Sequence, residues 1–384
     1  MNSQSTPVHI RLWHRDFWLM VVANLLLSMS MTLLIPTFPK WMLYVDGLTV
    51  SETGIAMGAF AVGLFLLGGF CSFLVQRYRR NWVCVVAMLL LALTLAVPYY
   101  GHGLPLIVVA AVRLVQGMCF GIAQMVLAST LIIDTCDSYQ RTEGNHSATW
   151  FGRFALSLGP MIGLLLYPYG GYGWVALASV GCLVLASLLV LTVHFPFRVP
   201  ADDYPVWSLD RFFLVSGWPL FALLVVVTTA VGMLFTLPLT AEFYGFMMAG
   251  FFLALLAQQF VFPDADLKSE IVTGLLLITA SLLIMIFAPQ SPLCSPLLGL
   301  GIGIVGTRFL LFFIKLCRHC QRGTSQSTFQ LGWESGIALG IGLGYCAFGD
   351  QRASLLHTAL ALIMVALAVY TFVLHQWFIN HKNR

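Results

Sequence analysis

Long apolar stretches alternate with short polar interruptions along nearly the whole chain. Twelve apolar segments stand out, at about 17–39, 53–75, 82–100, 105–134, 147–168, 173–194, 213–237, 240–262, 269–288, 296–317, 328–348 and 354–378. Each approaches or exceeds the roughly 20 residues that an α-helix needs to cross about 30 Å of hydrocarbon. The stretch 230–262 is nearly continuous and divides at Pro238, because proline cannot continue a helix. The pattern predicts an all-α membrane protein with twelve transmembrane helices.

The longest polar interruption, Phe195–Asp210, carries Pro196, Pro200 and Pro205 with Asp202, Asp203 and Asp210. It separates a six-helix bundle at 17–194 from a second at 213–378. The linker is 195–212, and the tails are 1–16 and 379–384. The fifth span contains Leu158-Gly159-Pro160-Met161-Ile162-Gly163 and the eleventh Leu339-Gly340-Ile341-Gly342-Leu343-Gly344. This weak internal repeat predicts two pseudo-symmetric bundles and sets Arg153 opposite Glu334. Loops are too short for a separate soluble domain. Two such bundles are a common transporter plan, with the substrate site between them near mid-membrane.

Composition agrees. Charged residues make up 9%, hydrophobic residues 59%, and the mean hydropathy is +0.90. Soluble domains carry roughly 25% charged residues. Lys and Arg collect on the cytoplasmic side of inserted helices. With both termini cytoplasmic, fourteen of the 19 basic residues fall on that side. Lys40 and Arg352 fall outside, and Arg113, Arg153 and Arg308 lie within helices. The opposite orientation would reverse this bias, so the chain is expected to be a multi-pass protein of a cytoplasmic (inner) membrane. Arg77-Tyr78-Arg79-Arg80 reads as a stop signal between spans, not as a nucleic-acid site, and the net charge of +4 reflects topology. Met1–Pro7 is polar and no cleavage pattern follows a short apolar core, so the first span is expected to serve as its own insertion signal.

Three motifs, in order, carry a resemblance. The fourth span reads Arg113-Leu114-Val115-Gln116-Gly117, and the fifth carries Gly159-Pro160-Met161-Ile162-Gly163. Between the second and third spans, Ser72 through Gln76-Arg77-Tyr78-Arg79-Arg80 is a worn loop motif in which only Arg77 and Arg80 match. Together they resemble the major facilitator superfamily, with the fifth-helix motif similar to its antiporter (efflux) branches. The resemblance implies the major facilitator fold and alternating access by rocking of the two halves. Gln76 stands where the family pattern has Asp, which puts the usual loop charge relay in doubt.

Intramembrane polar residues are the candidate site, because a buried charge is costly and usually faces a cavity or partner. With a 3.6-residue period, Arg113, Gly117, Phe120 and Gln124 share a face bordered by Gln116. On the fifth span His146, Thr149, Arg153, Ser157 and Pro160 do so, and on the eleventh Ser327, Gln330, Glu334, Ala338 and Tyr345. Glu334 is expected to be the only carboxylate well inside a helix. It is either a proton-coupling group or a permanent ion pair with Arg153 or Arg308. Arg113 is either a wall for an anionic group or a local pin. Asn24 in the first span, Arg308 in the tenth and His357 in the twelfth are further candidates for substrate or proton handling. No acidic residue occurs between Phe17 and Pro39, which weighs against efflux. An Arg77–Asp134 pair is expected to close the inner side, with Arg80 beside it, and Gly159, Pro160 and Gly163 to form a packing hinge or seal.

Other chemistries lack their residues. Cys317-x-x-Cys320 has no second pair to complete a zinc set. No P-loop, His-Glu-x-x-His or Gly-x-Ser-x-Gly occurs. Neither catalysis, a cofactor nor a metal is expected. The partners expected are a small-molecule substrate, protons and the lipid bilayer, with no nucleic acid, and nothing indicates more than a monomer. The leading reading is a proton-coupled exporter of a small amphipathic or anionic molecule. Import of a nutrient, or a non-transporting sensor of transporter ancestry, stays open.

Overall fold

The computed structural model describes residues 11–101, 103–195, 205–261, 266–318 and 321–382. The expectations placed on residues 1–10, Pro196, Arg198, Pro200, Asp202, Asp203, His319, Cys320 and residues 383–384 lie outside the described residues. Nine stretches among those described are long and apolar enough to cross a membrane. One of them, Arg141–Thr192, is two helices joined where Gly170 and Gly171 leave helical geometry. Gly171 has φ +58°, a conformation that a side chain would strain. Two less apolar helices complete the twelve.

In chain order these are α1 (Arg15–Thr32), α2 (Val50–Arg77), α3 (Arg80–Tyr100), α4 (Leu106–Asp134), α5 (141–169), α6 (172–192), α7 (Val215–Leu234), α8 (Ala241–Phe260), α9 (Leu267–Phe287), α10 (Cys294–Leu316), α11 (Arg322–Leu343) and α12 (Arg352–His381). The end at which α1 begins and α12 finishes is called the terminal end below. The first apolar run does not stay one helix to residue 39. It stops at Thr32, turns through Pro36, and restarts as Phe38–Tyr44 with Pro39 in its first turn, where proline is tolerated. α2 opens on a capping box: the Glu52 backbone N–H donates to Thr49 Oγ1 and the Thr49 N–H donates to Glu52 Oε2. α11 starts six residues before the apolar run expected at 328. Thr324, Ser325, Gln326 and Ser327 are buried against protein, so this turn need not be apolar to leave water.

The halves repeat each other's packing. α1 packs on α5 and α6, α2 on α4, and α3 on α4 and α6; α7 packs on α11 and α12, α8 on α10, and α9 on α10 and α12. The halves meet where α2 faces α11 and α5 faces α8, a contact pair that a pseudo-twofold axis exchanges.

Glycine contacts fix the register of the repeat. A Cβ on Gly159 would lie 2.0 Å from Thr32 Oγ1, and one on Gly163 2.4 Å from Leu33 O. On the other side Gly336 would meet Thr228 Oγ1 at 1.8 Å and Gly340 would meet Thr229 O at 2.1 Å. Gly159 therefore corresponds to Gly336. The expected register is off by one helical turn: Arg153 corresponds to Gln330, and Glu334 to Ser157. The eleventh span has glycine at 332, 336, 340, 342 and 344, so a local glycine match slides by a turn without visible penalty. A second pair of contacts needs no sliding. Gly63 and Gly117 let α2 and α4 touch through Leu114 O and Phe60 O, each 2.2 Å from the virtual Cβ. Gly250 and Gly299 do the same for α8 and α10 against Pro296 O and Met247 O, at 2.2 and 2.1 Å. Gly117, the last residue of the Arg-x-x-Gln-Gly segment, is thus a packing residue matched by Gly299.

Candidate functional site at the interface between the halves

Equivalent residues meet on the pseudo-axis. Gln326 Nε2 donates to Thr149 Oγ1 at 2.9 Å, and these two positions correspond in the repeat. From here the interface divides into two seams of different charge.

One seam holds Arg153 of α5. Its side chain is 1% exposed, and Nε, NH1 and NH2 have no hydrogen-bond partner among the described residues. The guanidinium carbon sits 4.9 Å from the Trp150 ring centre, 5.7 Å from Trp333 and 5.8 Å from Phe329. Gly306 of α10 completes the cage, since a Cβ there would lie 2.9 Å from Arg153 Nε and from Trp333. Aromatic faces stabilise a desolvated cation by about 2 kcal/mol. They do not use its five directional donors. Ser157, one turn along, donates to Tyr244 O and joins α5 to α8.

The other seam holds Glu334 of α11. Gln124 Nε2 of α4 donates to Glu334 Oε1 at 3.4 Å, and neither Arg153 nor Arg308 forms a salt bridge with it. The ion-pair alternative for Glu334 is therefore not formed. Gln330 Oε1, Ser327 Oγ and Gln326 Oε1 on the same helix are buried without partners among the described residues. Side chains of this kind can receive donors from a substrate, whereas Arg153 can supply donors to one.

The remaining predicted residues lie elsewhere. Arg308 Nε pairs with Glu270 Oε2 of α9, and Glu270 is 1% exposed. Glu270 is a second buried carboxylate, in the first turn of α9 and not well inside the helix as Glu334 is. Arg113 NH1 donates to Gln116 Oε1 at 2.9 Å and lies between the rings of Phe38 and Phe60, at 5.4 and 4.9 Å. These contacts stay within the first half. Asn24 Nδ2 donates to Ala148 O at 3.1 Å and ties α1 to α5. His357 is exposed on the outside of α12, away from the interface. Asp134 pairs with Arg80, not Arg77. Arg80 starts α3 beside the end of α4, whereas Arg77 finishes α2 and points outward. Gly159 and Gly163 press α5 onto α1 inside one half, with Pro160 buried between them, while Met161 of the same segment lies against Gly245 of α8 across the interface.

A strap missed by sequence reasoning crosses the terminal end. The Ser208 N–H donates to Gly69 O at 2.9 Å, Trp207 and Phe212 cover Gly69 and Gly68, and Arg211 NH1 donates to Thr130 Oγ1 at 3.1 Å. The Arg211 N–H donates to Thr324 Oγ1 at 2.9 Å and the Leu214 N–H to Thr328 Oγ1 at 2.7 Å. The end of the linker is thus bound to α2, α4 and α11. The Gly68-Gly69 pair, whose missing side chains leave room for Phe212 and Trp207, is a trace of it in the sequence. At the opposite end Gly54 of α2 packs against Gly342 O of α11 and against Cys346 just beyond that helix, whose thiol donates to Ser51 O at 3.3 Å. The halves are therefore in contact at both ends of the seam. The aromatic cage was also missed, although Trp150 lies within one turn of Arg153.

The model of the Major Facilitator Superfamily matches residues 20–341. No curated protein sequence matches. Among solved structures, the human organic anion transporter MFSD10 (TETRAN) is similar with a TM-score of 0.66 and 16% identity, over 92% of this chain and 98% of that one. An outward-facing bacterial homologue of the iron transporter ferroportin gives 0.63 and 15%, over 93% and 98%. A point mutant of the nucleoside transporter NupG gives 0.61 and 11%, over 96% and 100%.

Proposed function

This chain belongs to the Major Facilitator Superfamily, a membrane transporter and not an enzyme, and on that premise we propose that it is a proton-coupled secondary transporter that exports a small molecule by rocking its two halves. One observation carries the proposal: Glu334 sits at the seam between the halves, bonded to a neutral amide of the opposite half and, among the described residues, to no cation. A carboxyl group there can take up a proton in one arrangement of the halves and give it up in the other, as access to water changes. The distribution of Lys and Arg supports a cytoplasmic terminal end in a cytoplasmic (inner) membrane. Release of the Arg211 strap, which joins Thr130 of the first half to Thr324 of the second, would then accompany opening to the cytoplasm. The Gly159-Pro160 segment, with its likeness to the antiporter branches, favours export.

The test uses proteoliposomes with an internal pH dye and a panel of small organic anions, cations and neutral compounds, for wild type and Glu334→Gln. The expected result is substrate-dependent proton movement opposite to substrate flow, lost in Glu334→Gln. Movement of both in one direction would replace export by import. Proton-linked flux unchanged in the variant would remove Glu334 from the mechanism. A ligand that binds but never crosses would make the protein a sensor built on a transporter fold.

A further inference from the structure

α5 and α8 touch through Ser157 and Tyr244, and again through Phe154 and Phe252, whose ring centres are 5.2 Å apart. Nearer the terminal end they leave a groove of about 290 Å³. Its walls include Trp150, Phe154 and Leu255, with His146, Gln258 and Gln259 at its polar margin. Among the described residues no carboxylate lines it. Its floor adjoins the Arg153 cage at two points. Trp150 belongs to both, with one face toward the guanidinium. Gln258 Nε2 donates to Thr307 Oγ1, next to the Gly306 that cradles Arg153, while Gln258 Oε1 is buried without a partner among the described residues.

An apolar groove lying against a buried cation with three unused nitrogens has the shape of a two-part ligand. We propose that the transported molecule is a small amphipathic organic anion, an aryl carboxylate or sulfonate. Its head group accepts the forked donors of Arg153, and its ring lies in the groove against Trp150, Phe154 and Leu255. A planar guanidinium matches a carboxylate or sulfonate in this bidentate way and can keep Trp333 and Phe329 on its flat faces. An inorganic anion would leave the groove unfilled. A neutral aromatic would leave the cation unpaired, and a buried unpaired charge discriminates strongly. The groove lies between the halves, so a molecule seated there touches both and can bias their rocking. This inference rests on the transport reading above, but not on the coupling role of Glu334.

The test measures binding of naphthalene-2-sulfonate, naphthalene-2-methanol and inorganic sulfate to the full chain in nanodiscs by calorimetry. The sulfonate is expected to saturate one site, with the other two at least about tenfold weaker. Arg153→Gln should weaken the sulfonate by about tenfold or more, to the level of the alcohol. Leu255→Trp fills the partly exposed rim without touching the cage, and serves even if the Arg153 variant does not fold. It should weaken the sulfonate about tenfold while leaving sulfate unchanged. Sulfonate binding indifferent to Arg153→Gln in a folded variant, or to Leu255→Trp, overturns the inference. So does sulfate binding as tightly as the sulfonate. Binding that obeys these expectations in a protein whose flux ignores Glu334 would overturn the coupling role alone.

Discussion

The two seams of the interface occupy corresponding places and carry opposite chemistry. On the α5–α8–α10 side a guanidinium sits in aromatic rings with its donors unused. On the α2–α4–α11 side a carboxylate rests on an amide. The correspondence is close: Gly306 stands where Gln124 does, Ser157 where Glu334 does, and Gln330 where Arg153 does. The glycine contacts that hold α1 on α5 and α2 on α4 reappear in the second half with spacings that agree within about 0.3 Å. The scaffold has stayed symmetric because helix approach leaves no room for a Cβ. The charges have not, because nothing in the packing requires a polar group at those positions. Symmetry therefore marks what holds the molecule together, and its loss marks where binding and coupling are proposed.

The sharpest way to probe this contrast sets the unpaired cation of the seam against the paired one on α10. Glu270→Gln strands Arg308 in the bundle and should destabilise the protein by about 3–5 kcal/mol, most of it regained in the Glu270→Gln/Arg308→Gln double variant. Arg153→Gln removes a charge that has no counter-ion among the described residues, and should cost far less or stabilise. Denaturant titration in mixed micelles reads all of these, and an Arg153→Gln loss as large as that of Glu270→Gln would mean that Arg153 is structural.

The symmetric scaffold is next in size. Gly117→Val and Gly299→Val force a Cβ into a backbone carbonyl, and each should destabilise by about 1–3 kcal/mol or more. Similar falls in the thermal unfolding midpoint would confirm the repeat; a harmless Gly299→Val beside a damaging Gly117→Val would break it. Arg80→Gln should matter least for stability, below about 1 kcal/mol, because Arg80 and Asp134 side chains are 22% and 32% exposed. A loss comparable to that of Glu270→Gln would show that this surface pair is coupled to something deeper. Labelling with a membrane-impermeant maleimide addresses the two ends. Cys346 is exposed at the end opposite the termini. Cys136 is buried, and that burial pushes its thiol up to about 11, so little reactive thiolate exists at neutral pH. In sealed cells Cys346 should label from outside and Cys136 should not; an unlabelled Cys346 would argue for the reverse orientation.

Much of this was legible in the chain. Lipid accepts only segments that satisfy their own backbone hydrogen bonds and cover them with apolar side chains, so apolar length determined the helices, their number and the break between the halves. The polar stripes at Arg153 and Glu334 were visible for the same reason, as costly exceptions. The tertiary structure alone decided which exceptions meet. Arg308 found Glu270 across two helices, Asp134 found Arg80 instead of Arg77, and Arg113 stayed within its own half. A one-turn slide of a glycine-rich helix changes a sequence match little but moves every side chain about 5.4 Å. That displacement is larger than any hydrogen bond, so the partners of the buried charges could be read only once the helices were packed.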